Sequence, residues 1–504
     1  MGKAKVIVSG VAWTAINNVV SIIYGIISVP FLINYFGKEE YGLIGLALSV
    51  NVYIQLLDMG MTNSNVRFFS EYISKGEKDN VQKLFGLTNF FYLLVGILNS
   101  VLLFGVSFFV SDLFKVTAEQ AIILRNLLWI LALNATFSWI SVCFDQFLRA
   151  NELIDWIKKR TTFLKVMQFV ILALTVWLHL SIELYFFGYI FIGTVIFPLT
   201  IVKTRKIMKG LKTRPKFDMG MLRIVYPYAI SIFSFSIFQF LAFNFRPLFL
   251  GNMSGPGSVA EFNIMNAIAT VVTILSGTFI QVLLPIVTKM RVNSDTEGIN
   301  SLIFRGTKFA NILLSTIIVI LIISSKEVLT LYVGEEYTSL SLWLTLWLLT
   351  LCLSHRNVMT SLVFTEKKLK SVAIMGAVAM LLAIAAYVIF IPRYGVGGVV
   401  IGFLIHELVH TLFYYFYFFP VRLHVHSGQI FLKNVLPCWI ACLIVGVAVY
   451  KLGSLLSLPS LWSLLLKTLI SCCSLLPLIW FFIFSDSDKN LILSSSLKKI
   501  KKTD

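Results

Sequence analysis

The chain has 504 residues, of which 58% are hydrophobic and 13% are charged, and its mean hydropathy is +0.87. Soluble domains have about half apolar and about a quarter charged residues, so this composition excludes an ordinary soluble protein and indicates an integral membrane protein. The net charge of +18 does not imply a nucleic-acid partner, because proteins with many membrane spans collect Lys and Arg on their cytoplasmic loops.

Apolar runs long enough to cross a bilayer recur from residue 11 to residue 484. Since one crossing needs about 20 apolar residues, they predict an all-α polytopic membrane protein with about fourteen transmembrane helices. The first run is too long for the apolar core of a signal peptide and lacks a convincing cleavage site, so we expect a retained helix. The six cysteines fall inside these runs without metal or disulfide spacing, which indicates apolar packing. The predicted spans are 11–35, 41–60, 85–110, 122–146, 162–180, 184–202, 224–249, 261–286, 307–324, 339–363, 371–391, 396–419, 433–451 and 461–484.

Basic residues alternate from loop to loop and orient the chain. The segments after the second, fourth and sixth predicted helices are basic, and the longest of them is 203–223. This asymmetry predicts that both termini lie in the cytoplasm. The basic residues then left on the outer side are Lys38, Lys115, Lys326, Arg393 and Lys451.

The basic segment also divides the chain into two six-helix lobes and a C-terminal helix pair. We predict an N-lobe at 1–205, a cytoplasmic linker at 206–223, a C-lobe at 224–424, and the final helix pair with a basic tail at 425–504. A weak repeat of proline and aromatic residues, at 30–32 and again at 247–249, supports two related halves, although such residues are also common at helix ends. Two halves related about the membrane normal are a transporter architecture, with the site at their interface.

Three arginines lie within predicted spans, where a charge costs at least about 2.5 kcal/mol and usually faces a cavity or a partner. Arg246, with Asn244 nearby, and Arg356 are the main candidates, and Arg125 opens the fourth helix from the outside. Each could instead reach the interface or form a structural ion pair. Because guanidinium groups bind phosphate oxygens in a bidentate way, we predict an anionic, phosphorylated ligand.

Polar side chains on the first two predicted helices form a second candidate set. Asn17 and Asn18 lie on the first helix, and Asn51, Gln55 and Asp58 follow the second at nearly helical spacing. They could donate hydrogen bonds to sugar hydroxyls, or they could join helices to one another, as amides commonly do in membranes.

Two acidic residues at inner helix ends have two possible roles. Asp58 is near Arg67 in the sequence and Asp145 is near Arg149, which favours structural salt bridges. Ion coupling through either acid is the alternative.

Residues 406–410 form an H-E-x-x-H pattern, which on a helix can bind zinc with the glutamate as a base. An intramembrane metalloprotease also needs a third ligand, and the carboxylates after this pattern, Asp486, Asp488 and Asp504, lie outside the predicted spans. We therefore expect no metal. We interpret His406, Glu407 and His410 as a polar patch at the lobe interface and a candidate proton site.

Three segments resemble polysaccharide-export flippases of the Wzx type, in the multidrug, oligosaccharidyl-lipid and polysaccharide exporter superfamily. Residues 36–43 (FGKEEYGL), with 57–61 (LDMGM) and Arg67, resemble the signature of the first two helices. Residues 391–398 (IPRYGVGG) resemble the entry to helix 12, and 250–262 resemble a third motif. In that third motif Phe262 replaces a tyrosine, and Arg246 stands near a position that is often acidic.

The resemblance implies a flippase that moves an undecaprenyl-pyrophosphate-linked oligosaccharide, such as an O-antigen repeat unit of lipopolysaccharide, to the outer leaflet of a bacterial inner membrane. It implies alternating access, a cationic central cavity, no cofactor, and coupling to a proton or sodium gradient. It also implies contact with membrane lipid and with polysaccharide polymerase and chain-length machinery.

Three rival functions stay open from the sequence, and composition does not exclude one of them, an acyl-modification or lipid scramblase-like protein. A multidrug or cation antiporter of the same superfamily would favour an acidic cavity, which the buried arginines oppose. A membrane enzyme of polysaccharide assembly would be expected to have a long outer loop or an acidic pair in the first outer loop. The outer loops here are short, and a solvated turn explains the acidic pair Glu39 and Glu40.

Overall fold

A computed structural model describes residues 3–292, 295–363, 370–423, 425–456 and 458–490, and every regular element in these ranges is helical. Thirteen helices in the described ranges are long and apolar enough to cross a membrane. The other predicted span, 224–249, falls on α9 and α10. The prediction of an all-α polytopic membrane protein is therefore confirmed. The helices are α1 (Lys3–Phe36), α2 (Lys38–Ile54), α3 (Met61–Lys75), α4 (Lys78–Ser107), α5 (Val110–Leu113), α6 (Ala118–Ala150), α7 (Ile154–Trp177), α8 (Ile182–Ile207), α9 (Met219–Asn244), α10 (Arg246–Met253), α11 (Pro256–Val292), α12 (Thr296–Ile323), α13 (Ser325–Val333), α14 (Ser341–Leu351), α15 (Asn357–Val363), α16 (Lys370–Tyr394), α17 (Val396–Phe413), α18 (Ser427–Ile430), α19 (Leu436–Leu455) and α20 (Ser460–Leu478).

The chain forms two compact units. Unit 1 comprises Met1–Ala267 and Gly376–Val399, and unit 2 comprises Ile268–Met375 and Val400–Asp504. Unit 1 holds α1–α10, the start of α11 and most of α16. Unit 2 holds α12–α15, most of α17, and α18–α20. The lobe boundaries expected from the sequence stay a prediction.

The core of unit 1 lies among α3, α4, α6 and α9. Phe69, Phe85 and Phe147 are fully or almost fully buried, with ring centroids 5.6 to 6.2 Å apart. Phe147 packs edge to face against the other two rings. Aromatic pairs in this geometry add about 0.5–1.5 kcal/mol each beyond their burial. This packing fixes α4 and α6, which carry many of the polar side chains described below.

The core of unit 2 lies among α12, α19 and α20, around Ile323, Cys442 and Leu475. The six cysteines are all free, and Cys143 and Cys438 are fully buried, as expected for apolar packing. Large apolar side chains on the outside of the helices are strongly exposed to the surroundings, as a hydrocarbon solvent requires. Examples are Leu133, Val195, Leu443 and Phe482.

Helix ends differ from the predicted spans because capping, not hydropathy, sets them. Residue Thr117 forms a reciprocal capping box with Gln120, so α6 starts at Ala118, four residues before the predicted span. Two spans predicted as continuous also tighten into 3₁₀ turns, at Gln55–Asp58 and Cys352–Arg356. Such turns inside a helix often mark functional positions, and here they carry three of the predicted site residues, Gln55, Asp58 and Arg356.

Candidate functional sites in the two units

Unit 1 contains a polar cavity of about 570 Å³. Its described lining holds a carboxylate and several amides but no Lys or Arg. The aromatic side chains Trp139, Tyr189 and Phe240 complete the wall. The polar side chains in the lining are Asn51, Gln55, Asp58, Thr62, Asn99, Asn134, Ser138 and Gln168.

The Asp58 carboxylate in this cavity is held by neutral donors. The Tyr92 hydroxyl donates to Oδ1 at 2.7 Å, the Thr62 hydroxyl donates to Oδ1 at 2.8 Å, and the Thr62 backbone N–H donates to Oδ2 at 3.1 Å. The Gln146 amide then donates to the Tyr92 hydroxyl at 2.6 Å, and Asn65 donates to Gln146 at 3.0 Å. Within the described residues Asp58 forms no ion pair, so its negative charge is satisfied only by hydrogen bonds.

The expected pairing of Asp58 with Arg67 is therefore wrong. The Arg67 guanidinium instead lies 4.2 Å from the centre of the Tyr228 ring, a cation–π contact. Residue Asp145 does form a salt bridge, at 2.6 Å, but with Arg160 and not with Arg149. The partners of Asp58 and Asp145 were both predicted wrongly because the prediction relied on proximity along the chain.

The remaining predicted residues of unit 1 lie outside the cavity lining. The Asn17 side chain accepts a hydrogen bond from Thr161 on α7 at 2.7 Å, and Asn18 is half-buried on α1. Asn244 donates to the backbone of its own helix at Phe240. These contacts fit a role in joining and ending helices.

The predicted arginines of unit 1 are each engaged by aromatic residues. Arg246 is buried at the start of α10, and its Nε donates to the Tyr387 hydroxyl at 3.3 Å. The Arg125 guanidinium lies 5.3 Å from the centre of the Trp129 ring on the same helix. Their predicted role in binding a diphosphate stays a prediction.

In unit 2, Arg356 and the H-E-x-x-H residues meet in one buried cluster. The Arg356 guanidinium forms an ion pair with Glu407 Oε2 at 2.7 Å and donates to the Thr411 hydroxyl at 2.7 Å. His406 Nδ1 lies 3.2 Å from Glu407 Oε1, and the His406 and His410 rings are 4.6 Å apart. The glutamate of the pattern thus serves as the counter-ion of an arginine.

Unit 2 also contains an apolar groove of about 1030 Å³ along α12, α14 and α19. Its wall is largely aliphatic, with side chains such as Ile318, Leu346 and Leu443. At one end it carries Glu327 and Lys467, which form an ion pair. A groove of this volume and chemistry can accommodate a hydrocarbon chain.

Sequence reasoning missed most of the residues that bind the predicted ones. Tyr92 donates a hydrogen bond to Asp58, and Gln146 donates one to Tyr92. The Thr411 hydroxyl accepts a hydrogen bond from Arg356. The available signal was a strongly polar side chain inside an apolar run, as at Asn99 and Gln168. Such residues are rare enough in spans to predict a cavity or an interhelical contact.

The fold is similar to that of several solved membrane transport proteins. It is similar to the lipid II flippase MurJ in an inward closed conformation, with a TM-score of 0.71 and 18% identity over 93% of this chain and 98% of that chain. It is also similar to an inward-facing multidrug resistance MATE family transporter of the MOP superfamily, with a TM-score of 0.63 and 14% identity over 77% of this chain and 91% of that one. For a structure of the MATE multidrug transporter DinF-BH, the TM-score is 0.59 and the identity is 15%, over 82% of this chain and 96% of that one.

Residues 7–291, more than half of the chain, match the family described as polysaccharide biosynthesis protein. The protein belongs to this family, which confirms the resemblance seen in the sequence. No curated protein matches the chain in a sequence comparison.

Proposed function

We propose that this protein is a flippase that moves a polyprenyl-diphosphate-linked oligosaccharide from the inner to the outer leaflet of the bacterial cytoplasmic membrane, with both termini in the cytoplasm. The undecaprenyl lipid and an O-antigen or related repeat unit are the expected substrate. The family's link to polysaccharide biosynthesis and the likeness to a structure described as a lipid II flippase support a lipid-linked saccharide as cargo.

The observation that carries the proposal is the pair of chemically opposite cavities. Unit 1 has a polar cavity walled by amides and aromatic rings, and unit 2 has an aliphatic groove. A lipid-linked oligosaccharide joins the same two chemistries in one molecule. Hydroxyl-rich groups suit amide donors and acceptors, and an isoprenoid chain suits the groove.

The need for a protein follows from the energy of crossing. Moving an unpaired hydroxyl into hydrocarbon costs several kcal/mol, and each 1.36 kcal/mol slows crossing about tenfold. A headgroup of several sugars and a diphosphate therefore requires a polar path while its lipid tail stays in an apolar one. We infer alternating access, with Arg246 and Arg356 binding the diphosphate and Asn51 and Gln55 binding sugars.

Other parts of the proposal concern energy and partners. Asp58, Asp145, His406, Glu407 and His410 are the candidates for coupling to a proton or sodium gradient. No reaction is expected to be catalysed, and the flipped unit would pass to a polysaccharide polymerase and chain-length machinery.

The test is depletion of the protein in its own host. We expect surface polysaccharide to fall and the polyprenyl-diphosphate oligosaccharide to accumulate on the inner leaflet. Arg246→Ala and Arg356→Ala should each slow flipping about tenfold or more, because a hydrogen bond to a charged group contributes about 1.5–3 kcal/mol. Lys75→Ala removes a cation from an exposed pair with Glu71 and should leave flipping unchanged. Normal polymer after depletion would refute the proposal.

Antiport of a lipophilic cation is the second candidate, and the Asp58 cavity favours it. Its described lining holds a carboxylate without a Lys or Arg, which suits a cationic ligand. If this is the function, Asp58→Asn abolishes extrusion of a cationic dye and leaves the surface polymer intact. If the chain is a flippase, dye extrusion is absent in the wild type as well.

A further inference from the structure

Arg356 forms a buried anion-binding site, and the anion bound to it is the carboxylate of Glu407. Two guanidinium nitrogens of Arg356 are used, one by a Glu407 carboxylate oxygen and one by the Thr411 hydroxyl, each at 2.7 Å. The side chains of Arg356 and Glu407 are only 11% and 8% exposed. A carboxylate and a phosphate oxygen present similar acceptor geometry to a guanidinium, so Glu407 occupies the position that a phosphate would take.

The two segments that carry the pair also form part of the apolar groove wall. Cys352 and Leu353 precede Arg356 by about one turn, and Leu404 and Leu408 flank Glu407 on α17. The groove and the ion pair thus adjoin in unit 2, so a lipid whose headgroup lies at this end of the groove would place that headgroup close to Arg356.

We propose that Glu407 is an internal competitor for the diphosphate at Arg356, and that Glu407 takes up one proton when the diphosphate displaces it. This inference rests on the proposed function and adds a proton to the substrate-binding step. In the exchange, the Arg356–Glu407 ion pair breaks, Arg356 bonds a phosphate oxygen, and a proton from water binds the released carboxylate. No covalent bond of the substrate changes.

The proton is required because of where Glu407 lies. Removing one partner from a buried ion pair leaves an uncompensated charge that costs about 3–5 kcal/mol. A buried carboxylate avoids this cost by becoming neutral, and the arriving diphosphate adds like-charge repulsion that acts in the same direction. The diphosphate then replaces the carboxylate as the anion paired with Arg356, and the neutral Glu407 adds no further negative charge.

The groups around Glu407 supply a route for that proton. His406 contacts the carboxylate directly, and the half-buried His410 stacks against His406. On the 3₁₀ turn opposite, His355 is engaged with the Tyr415 hydroxyl at 2.6 Å. Besides its partner Arg356, the titratable groups that surround Glu407 within the described residues are His355, His406, His410, Tyr414 and Tyr415.

The test measures protons taken up when farnesyl diphosphate, a short isoprenoid diphosphate, binds the full-length protein in lipid nanodiscs. Calorimetry in two buffers of different ionisation enthalpy gives the number of protons per ligand. For the wild type we expect about one proton and an affinity that rises about tenfold per pH unit as the pH falls towards neutral from the alkaline side. Glu407→Gln should bind more tightly and take up about one proton fewer per ligand than the wild type, and Arg356→Gln should not bind.

The matched control is Asp488→Asn, which removes the carboxylate of another buried ion pair of unit 2, with Lys308 at 2.6 Å. It should keep the proton uptake of the wild type. Binding by the wild type without proton uptake overturns the proposal, and this measurement decides the matter even if Glu407→Gln does not fold. Failure of the probe to bind while cells still flip the oligosaccharide overturns the assignment of Arg356 and leaves the proposed function intact. Normal surface polymer in depleted cells overturns the proposed function itself.

Discussion

Each unit holds one acidic side chain at the centre of its polar contacts, and the two are stabilised in different ways. Asp58 in unit 1 accepts hydrogen bonds from Tyr92 and Thr62, whereas Glu407 in unit 2 is paired with Arg356. Neutral donors leave the negative charge of Asp58 available to a ligand in the cavity. The Arg356 guanidinium neutralises the charge of Glu407, so any anion that binds Arg356 must first displace Glu407. The comparison teaches that the number of acids and bases in a span does not define a site, because pairing decides which charges a ligand meets.

The largest expected effect on stability comes from removing the partner of each acid. Arg356→Met should destabilise the protein by about 3–5 kcal/mol, because it leaves Glu407 buried without a counter-ion. Tyr92→Phe removes one donor of several from Asp58 and should cost about 1 kcal/mol. Thermal unfolding of both variants in the same detergent measures the difference.

A double variant, Arg356→Met with Glu407→Leu, separates charge from packing. It replaces the buried pair by apolar groups, so most of the lost stability should return. The interpretation of unit 2 is wrong if the single Arg356→Met variant is as stable as the double variant.

A second test concerns the backbone that places Asp58. Gly60, the residue before α3, has φ +76°, and a Cβ there would lie 2.3 Å from the Ala229 backbone oxygen on α9. Gly60→Ala should cost about 2–4 kcal/mol, from the left-handed backbone and from the displaced neighbour together. Gly76 has φ +73° with nothing within 4 Å, so Gly76→Ala should cost only about 1–2 kcal/mol. Equal losses in unfolding temperature would show that α9 does not constrain the turn.

The fold was largely predictable because hydropathy is a local property of each segment. The spans at 85–110 and 184–202 lie within or close to α4 (Lys78–Ser107) and α8 (Ile182–Ile207). The turn at Cys352–Arg356 was not predictable, since its sequence, CLSHR, contains no proline or glycine. Tertiary contacts such as those of His355 with Tyr415 and Arg356 with Thr411 accompany that turn, and they join residues far apart in the chain.

The residues of the candidate sites could be predicted from the sequence, but which of them contact one another could not. Arg356 and Glu407 were each identified from the cost of a polar group in a span, yet nothing in the sequence indicates that they pair. The same limit explains why Asp145 was assigned to Arg149, four residues away, and binds Arg160 instead. A spacing of four residues favours contact on one helix, but Arg160 reaches Asp145 from the following helix, α7, where packing decides.

A pH-dependent effect is expected at a third acid, Glu327 on α13, which pairs with Lys467 at one end of the groove. Burial raises the pKa of Glu327, but hydrogen bonds from Lys467 and Ser463 outweigh it and hold the pKa below the ordinary value of 4.5. A carboxyl group with a lowered pKa in the folded state stabilises the fold above its unfolded pKa, and this contribution is lost as the pH falls through the folded value. The wild type should therefore exceed Glu327→Gln in unfolding temperature at neutral pH, and the difference should disappear at pH values below about 4.5.

The control is Glu71→Gln, in an exposed pair with Lys75. Its smaller difference from the wild type should disappear at high salt because exposed charges are screened. A gap for Glu327→Gln that persists unchanged in acid would mean that packing at the groove end, and not the ion pair, stabilises this part of unit 2.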